Sequence, residues 1–293
     1  MTPPRRLLDE ASARLAANGV PSPRYDAEAL LCHVLGVSRG ELATLDDVPE
    51  RAARRFGELV ARRADRVPLQ HLTGRAPFRY LELQVGPGVF IPRPETEVVA
   101  GWAIDALRAM VGEGGRADAR SGDAARPSPI AVDLCTGSGA IAASIAYEVP
   151  QAQVYAVELD PDAHAWAQRN LAGTGVTLVL GDVATALGEL DGTVDLVVAN
   201  PPYIPLTAYD GVEPEVRDHD PALALWSGED GLDAIRTVEK AARRLLRPGG
   251  LVVVEHADQQ GESAPAVFAG RWSCVRDHVD LAGRPRFVTA RHP

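Results

Sequence analysis

Cysteine is scarce in this sequence, basic residues are outnumbered, and long apolar runs are missing. Its 293 residues include three cysteines. Cys32, Cys135 and Cys274 lie far apart and without pattern. They suggest neither a metal-ligand spacing nor a disulfide framework, which fits a reducing cytoplasm. His71, His164, His219 and His256 show no ligand spacing either, so no metal is expected. No stretch approaches the roughly 18 apolar residues of a membrane span. Residues 1–15 lack the continuous apolar core of a signal peptide. The chain is therefore expected to be soluble and cytoplasmic, away from membranes. Lysine and arginine total 30 against 40 acidic residues, a net charge of −10. Nucleic-acid binders usually carry the opposite balance, because phosphate contacts dominate their affinity. Direct nucleic-acid binding is not expected.

What is present is enough for a sizeable core, since 46% of residues are hydrophobic. The length suits one large domain with a smaller one. Residues 1–75 read as helical. Leu7, Leu8, Ala11 and Leu15 recur at helical spacing, as do Ala27, Leu30, Leu31, Val34 and Leu35 after the Pro21-Ser22-Pro23 break. A third helix is expected over residues 49–65. Phe56, Leu59 and Val60 lie on one side of it, and Arg51, Arg54, Arg55, Arg62, Arg63 and Arg66 on the other. That second side reads as a solvated face or as a docking surface for a macromolecule.

Residues 76–91 read as a β-hairpin linker turning at Gly86-Pro87-Gly88. In the run that follows, Thr96 is placed to cap a helix reaching Met110. Residues 111–129 have almost no large apolar groups and read as a loop or disordered insertion. From Ile130, strands (130–135, 153–158, 176–180, 194–199, 250–255) alternate with helices (139–148, 161–173, 230–246, 258–270). This implies an α/β fold with a mostly parallel sheet. Two last runs, 272–280 and 286–291, read as an antiparallel pair closing one edge.

The segment from Ile130 to Ala140 puts a strand directly before a turn containing Gly137 and Gly139, which lets the backbone approach a ligand. A glycine-rich turn alone is weak, because dinucleotide enzymes use a similar one. Here the third glycine of that fingerprint is missing, and Ala142 stands in its place. Asp133, Glu158 and Asp182 sit at three successive strand ends. There Glu158 can take both ribose hydroxyls, and Asp182 can accept from an adenine amino group. That set fits S-adenosylmethionine better than a dinucleotide.

The fourth strand runs straight into Asn200-Pro201-Pro202-Tyr203. Two prolines fix φ and remove two N–H donors, leaving a rigid platform rich in acceptors. An amide nitrogen is a poor nucleophile because its lone pair is delocalised. The Asn200 side-chain oxygen and the Pro201 carbonyl could bind its two N–H protons and orient it. They would also stabilise the positive charge that grows during attack. Tyr203 can stack on the flat amide, and the transfer then needs mainly positioning and desolvation.

Several segments together resemble the glutamine N5-methyltransferases that act on peptide chain release factors: Leu72-Thr73-Gly74 with Phe78, the run from Ile91 to Glu97, Asp133 to Ala140, Asn200 to Tyr203, and Asp230-Gly231-Leu232. The Asn-Pro-Pro-Tyr element alone is shared with N6-adenine and other exocyclic-amine methyltransferases, so it specifies acceptor chemistry only. The resemblance implies a class I, Rossmann-like methyltransferase domain over residues 92–293 and a small N-terminal helical recognition domain over residues 1–75. It also implies that the substrate is the glutamine of the Gly-Gly-Gln motif of bacterial release factors; the chain is expected to be a monomer. S-adenosyl-L-homocysteine would be the product of the methyl donor. By the same resemblance Cys135, Thr136, Gly137, Ser138, Gly139, Glu158, Asp182, Val183 and Asn200 would line the cofactor, and Asn200, Pro201, Pro202 and Tyr203 would hold the glutamine. The chain departs from the family at Cys135, where glycine is usual, and at Glu255-His256-Ala257, where Glu-x-Gly is frequent. Both departures bear on cofactor affinity. The competing substrates are a ribosomal-protein glutamine and the adenine of a nucleic acid.

Overall fold

The computed structural model describes residues 2–121 and 128–293. The chain divides into two compact units. One comprises Met1–Arg75, Val85–Pro87 and Val212–His219, and the other Ala76–Gln84, Gly88–Gly211 and Asp220–Pro293.

The first unit is helical: α1 (Pro4–Ala17), α2 (Pro23–Leu35), α3 (Arg39–Leu42), α4 (Glu50–Ala64) and α5 (Leu69–Thr73). Proline opens α1 and α2, where its preset φ suits the first turn and its missing N–H has no intrahelical partner to lose. Leu15, Leu30, Leu31, Phe56 and Leu59 form the heart of its core. The arginine side of α4 is only partly a surface. Arg63 is buried, with Nε 2.6 Å from Asp26 and Nη2 2.9 Å from Glu215. Arg66 reaches the same Glu215 at 2.8 Å. Arg51, Arg54, Arg55 and Arg62 stay exposed, and Arg55 pairs with Glu58 at 3.0 Å. Two of the six arginines therefore tie the returning segment Val212–His219 to α4.

The second unit opens with a two-stranded sheet, β1 (Arg75–Phe78) and β2 (Leu81–Gln84). Its turn is Arg79-Tyr80, with Arg79 at φ +52, and not the expected Gly86-Pro87-Gly88, which lies beyond the pair. Helix α6 (Pro94–Ser121) follows. Thr96 therefore lies within its first turn and does not cap it. The helix also continues through part of the expected insertion, because extending a formed helix needs no new nucleus. Residues 122–127 of that insertion lie outside the described residues.

The large sheet has the order β5-β4-β3-β6-β7-β9-β8. Strands β3 (Ile130–Leu134), β4 (Gln153–Glu158), β5 (Thr177–Leu180), β6 (Val194–Ala199) and β7 (Leu246–Glu255) are parallel. Strand β9 (Pro285–Arg291) runs antiparallel to β7, and β8 (Ser273–Val279) antiparallel to β9. Helices α7 (Ala140–Glu148) and α8 (Pro161–Asn170) connect the first three strands. Between β6 and β7 come the short α9 (Pro214–Arg217, in the first unit), α10 (Ala222–Leu225) and α11 (Asp233–Leu245). The expected helix 258–270 breaks into a 3-10 turn, Asp258–Gln260, and α12 (Ser263–Phe268). Both sheet faces are apolar. Along β6, Leu196 and Val198 enter one core cluster while Val197 and Ala199 enter the other, as the two-residue period of a strand requires. The chain order turns around between β3 and β6, so a crevice opens beyond their carboxyl ends.

Candidate active site

Five parallel strands deliver their carboxyl ends to one edge of the sheet. From β3 the chain enters Cys135-Thr136-Gly137-Ser138-Gly139 and then α7. Gly137 and Gly139 take φ +58 and +82. A Cβ on Gly139 would stand 3.0 Å from Leu171 Cγ, whereas one on Gly137 would meet nothing within 4 Å. Gly139 is thus demanded by packing, and Gly137 faces open space. Thr136 and Ser138 are buried, so this loop presents chiefly main chain.

Asp133 lies beneath the loop. Its Oδ2 accepts from the Thr136 hydroxyl at 2.5 Å and from the Ala142 N–H at 3.1 Å. Burial, with Glu158 nearby, pushes its carboxyl up to about 7 despite those two bonds. Among the described groups its Oδ1 has no partner. The geometry makes Asp133 a support of the turn.

Glu158 closes β4. Its Oε2 accepts from the Gly137 N–H at 2.8 Å, and its Oε1 accepts from the Leu159 and Asp160 N–H groups at 2.8 and 2.9 Å. Burial raises its pKa, and the three N–H donors work against that rise. A fixed carboxylate with lone pairs to spare beside a glycine turn suits a pair of ribose hydroxyls. Gly181 ties β5 to β4 through the Glu158 carbonyl at 2.8 Å. Asp182 follows it, exposed, with Oδ1 accepting from Ala184 N–H at 2.9 Å. Val183 packs against the core beside it.

The two family departures resolve differently. Cys135 holds φ +59, a left-handed conformation that glycine adopts without strain. Burial, reinforced by Glu158, Asp133 and Asp182, pushes its thiol pKa up, so it is no ready nucleophile. Ala257 sits at φ −66, where glycine has no advantage. His256 is fully buried, with Nδ1 2.8 Å from the Ala257 carbonyl and Nε2 2.9 Å from Asp277. It is therefore engaged with β8.

The fourth strand end carries Asn200. Its Nδ2 donates to the Thr96 hydroxyl at 3.2 Å, which leaves the side-chain oxygen as its acceptor. Pro201 is buried, while Pro202 and Tyr203 are half-buried. The Tyr203 phenol donates to Glu255 Oε1 at 3.3 Å. Glu255, at the end of β7, is 1% exposed. Burial pushes its carboxyl up to about 7, while Thr96, Arg286 and Tyr203 oppose the rise. Its Oε2 is buried without a hydrogen-bond partner among the described groups. Nearby, Arg93 pairs with the buried Asp220 at 2.5 Å and lies 4.9 Å over the Phe90 ring. From sequence, Thr96 stands out only as a cap within the Ile91–Glu97 run and Glu255 only as a departure. Their link to the loop spans 104 and 52 residues, beyond any local sequence signal.

A doubly wound sheet, a glycine turn after its first parallel strand and acids at the next strand ends define a class I S-adenosylmethionine-dependent methyltransferase. Residues 131–213 match the methyltransferase domain family, and residues 6–74 match the PrmC N-terminal domain. The chain is 60% identical over 284 residues to the release factor glutamine methyltransferase of Streptomyces coelicolor, covering 96% of this chain and 95% of that one. It is 49% identical over 294 residues to the enzyme of the same description from Mycolicibacterium smegmatis, covering 99% and 98%. It belongs to the release factor glutamine methyltransferase family. A 4-amino-L-phenylalanine/4-methylamino-L-phenylalanine methyltransferase of Streptomyces pristinaespiralis is also 43% identical over 272 residues, covering 92% and 88%.

Proposed function

We propose that this chain transfers a methyl group from S-adenosylmethionine to the side-chain amide nitrogen of the glutamine in the Gly-Gly-Gln motif of bacterial release factors. The observation that carries the acceptor half of this reading is the Asn200 side chain. With its Nδ2 spent on Thr96, its oxygen is the atom left to receive an N–H from a bound amide. The Pro201 carbonyl is the second acceptor. Together they hold both N–H groups in the amide plane and so aim the nitrogen lone pair, which stands perpendicular to that plane, at the methyl donor. They also meet the positive charge that develops on nitrogen, an effect worth several kcal/mol in a site with little water. Tyr203, pinned through its phenol to Glu255, offers a flat wall for the amide plane. No residue has to remove a proton before attack, because the N–H becomes acidic only once nitrogen carries the methyl group.

When bound, S-adenosylmethionine supplies an electrophilic methyl on a positively charged sulfonium and departs as S-adenosylhomocysteine. The residues present fit it. Glu158 would hold the ribose hydroxyls and Asp182 the adenine amino group. The turn of Cys135, Thr136, Gly137, Ser138 and Gly139 would line it with main chain, alongside Val183 and Asn200. Asp133 would act from below by holding that turn. The N-terminal helical unit is the recognition module in this reading.

The test offers labelled methyl donor to the protein with a purified release factor, with 4-amino-L-phenylalanine, and with nucleic acid in parallel. Label on the factor supports the reading. Label confined to the aromatic amine or to nucleic acid overturns it. Asn200→Ala is expected to lower transfer about a hundredfold or more, with donor binding by calorimetry little changed. A near-normal rate would rule out the acceptor platform.

A further inference from the structure

The Asp230-Gly231-Leu232 turn, one of the segments that resemble the family, lies against the Asn200–Tyr203 loop. In the structure Gly231 takes φ +76, and a Cβ there would lie 2.4 Å from the Tyr203 carbonyl oxygen and 2.8 Å from Gln260 Nε2. The turn and the end of the Asn200–Tyr203 loop meet main chain to main chain, and one side chain joins them. Gln260, in the 3-10 turn after β7, is 6% exposed. Its Oε1 accepts from the Ala257 N–H at 3.0 Å. Its Nε2 donates to the carbonyls of Tyr203 and Gly231, both at 3.2 Å, with the Asp230 carbonyl at 3.4 Å. The partners fix which end of the amide is which, because an N–H needs the oxygen and the carbonyls need the NH2.

Tyr203 is thereby held twice. Glu255 at the end of β7 takes its phenol, and Gln260, five residues further on, takes its carbonyl. Resting on the reading that the Asn200–Tyr203 loop holds the acceptor amide, we propose that Gln260 is a positioning residue for methyl transfer. Its buried carboxamide locks that loop to the Asp230-Gly231 turn. Its partners are main-chain groups of the loop, the turn and Ala257, and none belongs to the Cys135–Gly139 turn, Glu158 or Asp182. Loss of the lock should therefore lower the rate of transfer without matching loss of donor affinity. Glutamine is the side chain the site requires. A carboxylate has no donor and would set negative charge against three carbonyl oxygens, whereas a protonated carboxyl would regain one O–H donor.

The experiment compares full-length Gln260→Glu, Gln260→Met and Asn200→Ala with the wild-type protein. It measures kcat and KM with a release factor between about pH 6 and 9, donor affinity by calorimetry, and folding by thermal melting. Glu255, pushed up to about 7, titrates in every variant, and Asp230, Arg286 and Tyr203 also surround the site. The ratio to wild type at each pH is therefore the quantity read. At about pH 8, Gln260→Glu should lose about tenfold to a hundredfold in kcat, with donor affinity within about twofold. Its ratio to wild type should climb as pH falls and the introduced carboxyl takes a proton. Gln260→Met should be impaired by a similar factor with a ratio that does not vary with pH. A kcat for Gln260→Glu within about twofold of wild type at pH 8 overturns the proposal. So does a loss of donor affinity as large as the loss of kcat, or a pH-independent ratio for Gln260→Glu. Asn200→Ala separates the two layers. If it alone keeps its rate, the loop reading fails while the Gln260 variants still report on the lock.

Discussion

Thr96 sets a buried hydroxyl against the Asn200 side chain of the proposed acceptor platform. It receives the Asn200 NH2 at 3.2 Å and is 3% exposed, which turns the Asn200 oxygen away from that contact. Thr96→Val keeps the shape and removes the oxygen. It is expected to lower kcat about tenfold by freeing the Asn200 side chain to rotate, while Thr96→Ser should retain most of the rate; steady-state kinetics on a release factor distinguishes the two. Equal rates for Val and wild type would remove Thr96 from the account. The positions of Asn200 and Pro201 at a strand end were legible because they follow an apolar strand directly. Gln260 was not, since its partners are main-chain carbonyls 57, 30 and 29 residues away. The cysteines make a second residue-scale test. Cys274 is exposed, whereas the Cys135 thiol is pushed up by burial and by three carboxylates. A brief alkylation near neutral pH, followed by peptide mass spectrometry, should label Cys274 and leave Cys135 untouched.

Among the elements, the parallel strands were the easiest to read. Each is apolar on both faces and ends in a glycine, acid or proline signal, so type and boundary agreed to within a few residues. The hairpin turns earlier than its sequence suggests, because Gly86-Pro87-Gly88 is the stronger turn signal while the turn itself uses Arg79 at φ +52. The arginine side of α4 was ambiguous for a different reason. Its partners, the buried Asp26 and the half-buried Glu215, lie 37 and 152 residues away in sequence. Removing Arg63 would leave Asp26 and Glu215 facing each other without their shared cation. Arg63→Met is therefore expected to destabilise the helical unit by about 3 kcal/mol, measurable by chemical denaturation. Arg62→Met, on the exposed side, should shift stability little. Equal effects would mean that the buried pairing contributes nothing specific.

Across the whole molecule, among the described residues no helix is long and apolar enough to cross a membrane. Several carboxyls are buried near the crevice. Asp133 and Glu255 are pushed up to about 7, and Asp220 to about 6. A carboxyl whose pKa is higher in the folded than in the unfolded chain favours the fold most while protonated. That contribution declines as pH rises from the unfolded value toward the folded one. For Glu255 the window runs from 4.5 to about 7. Glu255→Gln does not titrate, so its melting temperature relative to wild type should be higher at about pH 8 than at about pH 5. A difference that stays constant with pH would show that Glu255 does not carry the raised pKa.

Peptide mapping tests most directly which nitrogen receives the methyl group. After reaction with S-adenosylmethionine, a purified release factor is digested and its peptides sequenced by mass spectrometry. The expected result is a single methyl group on the side-chain amide of the Gly-Gly-Gln glutamine, absent when Asn200→Ala replaces the wild-type protein. A methyl group on any other residue of the factor, with that glutamine unmodified, would contradict the account.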